Sequence, residues 1–151
     1  MRTKFCFIFL LLSNLAFDFT HAATFNFTPF KLPYAQSEGS YDIAADYGKK
    51  TIVINFFASW CTSCIQELPE LRTLKNSSTK SNIVFVAINA GEKDSVIKKF
   101  LKQHDFPYII LKDADRVISK SLGVEDLPRT VVISSDKKIV FDGNRPPATL
   151  P

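Results

Sequence analysis

The sequence predicts an α/β fold, a central mixed sheet flanked by helices. Three observations predict it. Two nearly continuous apolar, β-branched runs, residues 51–57 and 83–88, fit strands covered on both faces. Each is followed by a stretch whose apolar residues recur at helical spacing. A third such run, 130–133, is joined by a polar turn to 139–141, as in a strand hairpin. Strand, helix, strand, helix and hairpin, in that order, imply a sheet with right-handed crossovers between its parallel strands. The 151 residues suffice for one such domain and fall short of two of ordinary size.

Taken in order, Phe25, Phe27 and Phe30 suggest a short strand, which Pro29 and Pro33 confine to a sheet edge. Residues 37–40 read as a turn. Residues 41–47 read as a short helix ended by Gly48. After the 51–57 strand, residues 61–75 favour a helix, with Ile65, Leu68, Leu71 and Leu74 spaced by three. Pro69 lies inside it and is expected to kink it. Residues 76–82 are loop-like. Residues 94–104 form an amphipathic helix, with Val96, Ile97, Phe100 and Leu101 as its apolar stripe and its lysines toward water. Residues 108–111 are extended, and 117–122 make a short helix stopped by Gly123.

Hydrophobic residues make up 46% of the chain, enough for a packed core and too many for overall disorder. The formal charge is +4 and the isoelectric point about 9.0. Lys and Arg are spread along the chain, without the basic stripe of a nucleic-acid surface. The composition therefore argues against a nucleic-acid partner.

Residues 1–22 differ from the rest. Arg2 and Lys4 precede an apolar run beginning at Phe5, and the small residues Ala22 and Ala23 follow. That pattern predicts a secretory signal peptide. The apolar run is shorter than the ~20 residues of a spanning helix; retention as an uncleaved anchor is the other reading. The predicted organisation is thus a leader over 1–22 and one domain over 23–151, of which 142–151 is an irregular tail. The expected destination is the periplasm or cell envelope, with membrane contact only if the leader is retained.

Export changes how the cysteines are read. Cys6 would leave with the leader, so Cys61 and Cys64 remain. A disulfide that holds a secreted fold together links distant segments, whereas a loop this short constrains little of the unfolded chain. The pair is poorly placed for stability and well placed for redox exchange. It also lies where a buried strand ends and a helix begins. Unpaired N–H groups and the positive end of the helix dipole favour a thiolate there, so Cys61 is the expected nucleophile. Cys64, one turn on and more buried, can resolve the mixed disulfide that Cys61 forms with a substrate. This chemistry calls for no cofactor and no metal.

Residues 53–64, Val-Ile-Asn-Phe-Phe-Ala-Ser-Trp-Cys-Thr-Ser-Cys, resemble the active-site segment of thioredoxin-like proteins. They are most similar to the exported TlpA/ResA-type group, which reduces disulfides in the cell envelope and serves cytochrome c maturation. Pro69 stands where that superfamily has its helix-kinking proline. Asn55 stands where cytoplasmic thioredoxins carry a buried Asp. Residues 123–128, Gly-Val-Glu-Asp-Leu-Pro, resemble the approach to the family's cis-proline.

The resemblance implies a thioredoxin-like three-layer fold and thiol–disulfide oxidoreductase activity on protein thiols and disulfides. It also implies a membrane thiol-transfer protein as electron partner. It makes Pro128 a cis-proline beside the cysteines, and gives Leu127 the backbone groups that pair with a substrate peptide. Trp60 is either part of the docking surface or a half-buried packing aromatic. Asn55 would satisfy its amide inside the sheet and leave Cys64 without the usual buried proton acceptor. Glu67, one turn beyond Cys64, reads either as a solvated helix carboxylate or as one that serves Cys64 through water, and His104 as a capping or surface residue.

Two departures stand out. Arg129 follows the expected cis-proline, where the family has a polar or acidic residue; a guanidinium near Cys61 would stabilise its thiolate and make the pair more oxidising. Relatives also continue past the last strand into a terminal helix, which three prolines in the last six residues exclude here. One sheet face is therefore expected to be partly exposed unless a partner, an anchor or the N-terminal segment covers it. Two further functions use the same residues: a protein-thiol oxidase of the same fold, and a non-catalytic Cu(I)-binding or interaction module.

Overall fold

The computed structural model describes residues 27–78 and 82–150. The expected leader over 1–22, with Cys6, and Phe25 lie outside the described residues. Among those described, no helix is long and apolar enough to cross a membrane.

The chain folds into a five-stranded mixed sheet with helices and loops packed on both faces. The two central runs become β3 (Thr51–Phe57) and β4 (Ile83–Ala90), paired in parallel from Thr51 opposite Ile83 to Phe57 opposite Asn89. β5 (Ile109–Asp113) adds in parallel to β4. On the other side β6 (Arg129–Ile133) pairs antiparallel with β3, and β7 (Ile139–Gly143) returns antiparallel to β6. The order is β5-β4-β3-β6-β7. The predicted α/β class with a central mixed sheet is borne out.

Side chains alternate across β3, and two cores follow from that alternation. Val53 and Phe57 face one side, with Leu71, Leu74, Ile97, Phe100 and Tyr108. Ile52, Ile54 and Phe56 face the other, with Phe27, Phe30, Leu32, Ile43 and Val124. Asn55 shares the face of Val53 and Phe57, and this alternation determines what it meets.

The helical stretch after Cys61 is two helices, α1 (Thr62–Gln66) and α2 (Leu68–Ser77), rather than one kinked helix. Pro69 lies in the first turn of α2, where its missing N–H has no intrahelical partner to lose. α3 (Asp94–Gln103) and α4 (Val117–Ser121) form as predicted, within a residue or two at their ends. Gly123 follows α4 with φ of +64°.

The N-terminal part differs from expectation. Strand β1 is Lys31–Pro33, and it pairs antiparallel with β2 (Ser40–Asp42). The helix expected over 41–47 is reduced to one 3₁₀ turn, Ile43–Ala45, capped by the Asp42 carboxylate accepting from Ala44 N. Strand pairing takes Tyr41, and the Ile43 N–H donates to Phe30 O, so tertiary partners override local helix preference.

The tail holds no helix among the described residues, as the prolines require, but the expected bare face is corrected. Val53, Ala87 and Val132 on that face are fully buried, and Leu150 packs against the same core. The segment 144–150 is pinned there by an ion pair from Arg145 Nη2 to Glu70 Oε1.

Candidate functional site

β3 delivers the chain into the loop 58–60, and Cys61 caps the N-terminus of α1. The Cys61 N–H donates to Ala58 O at 3.1 Å, and the Ile65 N–H to Cys61 O at 3.3 Å. Cys61 and Cys64 form a disulfide with their Cα atoms 5.3 Å apart. The Cys64 N–H donates to Cys61 Sγ at 3.1 Å. A backbone donor aimed at Cys61 Sγ favours negative charge on that sulfur once the bond is reduced. Cys64 is the more buried of the pair, at 1% exposure against 5%.

The Leu127–Pro128 bond is cis. It leads directly into β6, whose Arg129 and Thr130 pair opposite Phe56 and Asn55. That register brings the Leu127–Pro128 turn to the end of β3 from which the cysteine loop leaves. Pro128 is buried and Leu127 half-buried. Both line a cavity of about 420 Å³ with Ser63, Glu67, Asn144 and Arg145.

Asn55 does not simply satisfy itself within the sheet. Its Nδ2 donates to Thr130 Oγ1 at 3.1 Å and to Glu67 Oε1 at 2.8 Å, while its Oδ1 has no partner. The reading of Glu67 as a solvated helix carboxylate is overturned: the residue is only 3% exposed, and its Oε2 is buried without a partner. Burial pushes the Glu67 carboxyl up to about 7, against the opposing pull of the Asn55 hydrogen bond; Glu70 raises it further and Arg145 lowers it. A buried carboxyl is thus present after all, supplied three residues beyond Cys64 rather than from β3. Tyr108, whose hydroxyl donates to Leu71 O at 3.3 Å, is raised by burial and then by Glu67.

A second carboxylate holds the other side of the cysteine loop. Glu92, just after β4, accepts from Ser59 N at 2.7 Å, from Ser59 Oγ, and from Asn89 Nδ2 at 2.7 Å. The Glu92 N–H returns to Asn89 Oδ1 at 3.2 Å. Sequence reasoning missed Glu92. Its one signal was Gly91, which precedes it with φ of +92° at the end of a buried strand.

Trp60 is 69% exposed, which removes the packing alternative and leaves a large aromatic beside the cysteines in water. Arg129 is directed away from the role expected for it. Its guanidinium forks onto Asp142, with Nη2 to Oδ2 at 2.7 Å, and donates to Asn144 Oδ1 at 3.2 Å. The Asp142 carboxylate offsets its charge, so the expected push on Cys61 is much reduced. His104 closes α3 and stacks on Phe100 with ring centroids 4.6 Å apart. Among the described residues, no three His, Cys, Asp or Glu side chains are grouped to hold a metal ion.

Known proteins resemble this chain in sequence and in fold. The thiol-disulfide oxidoreductase ResA of Bacillus thuringiensis subsp. konkukian is 30% identical over 103 residues, which cover 68% of this chain and 60% of ResA. The chain thus spans well under two thirds of that relative. A secreted Mycobacterium tuberculosis disulfide oxidoreductase homologous to Escherichia coli DsbE superposes with a TM-score of 0.66 at 25% identity, covering 81% of this chain and 87% of that one. A thiol-disulfide oxidoreductase from Bacteroides fragilis superposes with a TM-score of 0.69 at 20% identity, over 80% of this chain and 91% of that one, a likeness of fold. The family model described as Redoxin matches residues 21–149. That match takes in nearly all of the described fold, and the chain belongs to the Redoxin family, on its TlpA/ResA-type, thioredoxin-like branch.

Proposed function

We propose that this protein is an exported thiol–disulfide oxidoreductase that reduces protein disulfides in the cell envelope, as in cytochrome c maturation. The observation that carries the reading is the bonded Cys61–Cys64 pair at the start of α1, with the cis-Pro128 turn at the same end of the sheet and the Glu67 carboxyl buried three residues beyond Cys64.

The reaction follows from those positions. In the dithiol form the Cys61 thiolate attacks one sulfur of a substrate disulfide. A mixed disulfide forms, and the other substrate sulfur leaves as a thiolate. Cys64 then attacks Cys61 Sγ, restores the Cys61–Cys64 bond and releases the second substrate sulfur. Two electrons pass from enzyme to substrate, and two protons go with them. The attack by Cys64 needs its thiol proton removed. Glu67, held near neutrality by burial, is suited to accept it. Leu127 and Trp60 are the docking elements of this proposal, the first through its backbone and the second through its exposed ring. Reduction of the protein itself would fall to a membrane thiol-transfer protein. The predicted leader at 1–22 supports the envelope as the place of work.

Titrating the couple against a glutathione or dithiothreitol redox buffer tests the reading. A potential near roughly −270 mV supports an envelope reductant, and one near roughly −120 mV an oxidant of newly exported proteins. Absence of any reversible transition would remove the oxidoreductase reading and leave a metal-binding or interaction module.

A further inference from the structure

The Cys61 loop is flanked on its α3 side by a second groove, of about 570 Å³, away from the Pro128 turn. Ser59, Ile65, Val96, Lys99, Phe100 and His104 line it. Ser59 lies two residues before Cys61, and Ile65 is hydrogen-bonded one turn below it, so the groove starts within about 6 Å of the Cys61 backbone. Ile65, Val96 and Phe100 give it an apolar strip among polar lining residues. Val96, a member of the apolar stripe read from the sequence of α3, is left 39% exposed at this groove instead of being buried with Ile97 and Phe100. The exposed Trp60 adjoins it in sequence.

The charge around this groove is unmatched. No carboxylate lines it. The acids nearest in sequence are engaged elsewhere: Glu92 with Ser59 and Asn89, Asp94 with Lys112, and Asp105 with Arg72. Lys99 and Lys102, three apart on α3 and both exposed, have no acidic partner among the described residues. The Pro128 flank differs, because Arg145 there is already paired with Glu70. A short apolar strip beside the unpaired Lys99 ammonium, with Lys102 one turn further along α3, is complementary to an apolar residue accompanied by carboxylates.

We propose that the α3 groove receives an acidic segment of the protein whose disulfide Cys61 attacks, with an apolar side chain against Val96 and Ile65 and a carboxylate on Lys99. This rests on the oxidoreductase reading and names the partner's chemistry. The groove sets which partner is used and how fast it arrives, and leaves the bond chemistry to the cysteines.

The test uses the reduced full chain and two synthetic peptides. Each carries one internal disulfide and the same apolar residues, flanked either by Asp and Glu or by Lys and Arg. Second-order exchange rates are measured at about 0.02 M and about 0.3 M ionic strength, where screening lengths differ several-fold. The acidic peptide should react about ten-fold faster at low salt, with most of that advantage gone at high salt. Lys99→Glu should lower the acidic rate and raise the basic one, a crossing that a damaged fold would not produce. Equal rates for the two peptides, or a preference that survives Lys99→Glu, overturns the groove while reduction of uncharged hydroxyethyl disulfide keeps the oxidoreductase reading alive. No reduction of any of the three overturns both.

Discussion

Two glutamates flank the cysteine loop, and their circumstances are opposite. Glu92 accepts three hydrogen bonds, two of them from Ser59, and its carboxylate is fully occupied. Glu67 accepts one, from Asn55, and its second oxygen is buried with no partner. A carboxylate surrounded by donors is a structural anchor, because its charge is balanced where it stands. One that is half-satisfied in an apolar setting holds its proton, and a group that gains and loses a proton near neutrality suits proton transfer. The same residue type thus positions the loop from one side and is poised for chemistry from the other. The number of donors facing each carboxylate separates the two roles.

The largest expected effect comes from breaking the anchor. Glu92→Ala leaves the Ser59 N–H and the Asn89 amide without their charged acceptor, and each bond to a charged group is worth about 1.5–3 kcal/mol. Denaturant unfolding of the oxidised protein should show a loss of about 3 kcal/mol. Glu92→Gln keeps an acceptor oxygen and should recover part of it. A loss below about 0.5 kcal/mol would mean that water replaces Glu92 and that it anchors nothing.

The next effect runs through pH. Glu67 has a folded pKa raised to about 7 from an ordinary 4.5. Between those values the folded chain keeps a proton that the unfolded chain has lost, so stability falls as pH rises across that window and levels off above it. The full loss for a shift of this size is about 3 kcal/mol. Glu67→Gln cannot ionise, and should flatten the decline and make the variant the more stable protein at pH 8. Parallel pH–stability curves for the two proteins would place Glu67 in water and end the contrast with Glu92.

The kinetic counterpart is smaller. Without an acceptor for the Cys64 proton, release of the mixed disulfide in Glu67→Gln should slow by about ten-fold at neutral pH. The initial attack by Cys61 should change little. Stopped-flow measurement of the two steps separates them. Equal slowing of both would indicate a distorted loop rather than a lost proton acceptor.

How much of this the sequence disclosed follows from the range of the interactions. β3 and β4 were legible because strands buried on both faces must be continuously apolar. The cysteines were legible because a three-residue spacing at a strand–helix junction suffices to bring their sulfurs together. The 3₁₀ turn at Ile43–Ala45 was not, because the Phe30 carbonyl that fixes it comes from a distant segment. Glu67 was misjudged for a related reason. Three residues beyond Cys64 is the buried side of α1, but where that side faces depends on Pro69 dividing the helix and on Asn55 pointing the same way as Val53. For Arg129 the sequence supplied the charge and its place after the cis-proline, but the neutralising Asp142 arrives only through the pairing of β6 with β7. The tail prolines excluded a helix correctly and said nothing about whether an irregular segment could cover the sheet.

The smallest expected effect tests whether that segment tunes the chemistry it covers. Arg145 pairs with Glu70 at 74% and 43% side-chain exposure, so the pair itself should contribute about 0–1 kcal/mol. Its reach to Glu67 is the more useful quantity. The guanidinium favours the ionised form of Glu67, and Glu70 disfavours it. Arg145→Ala removes the favourable charge and unpairs the unfavourable one, and both changes strengthen Glu67's hold on its proton. The midpoint of the Glu67-linked stability change should therefore move upward from about 7, while stability at pH 5, where Glu67 is neutral in either protein, changes by less than about 1 kcal/mol. Because the effect crosses partly exposed space, added salt should shrink the difference between the two proteins. An unchanged midpoint at low salt would confine Arg145 to holding segment 144–150 in place, and the proton affinity of Glu67 would then rest on its burial, Asn55 and Glu70.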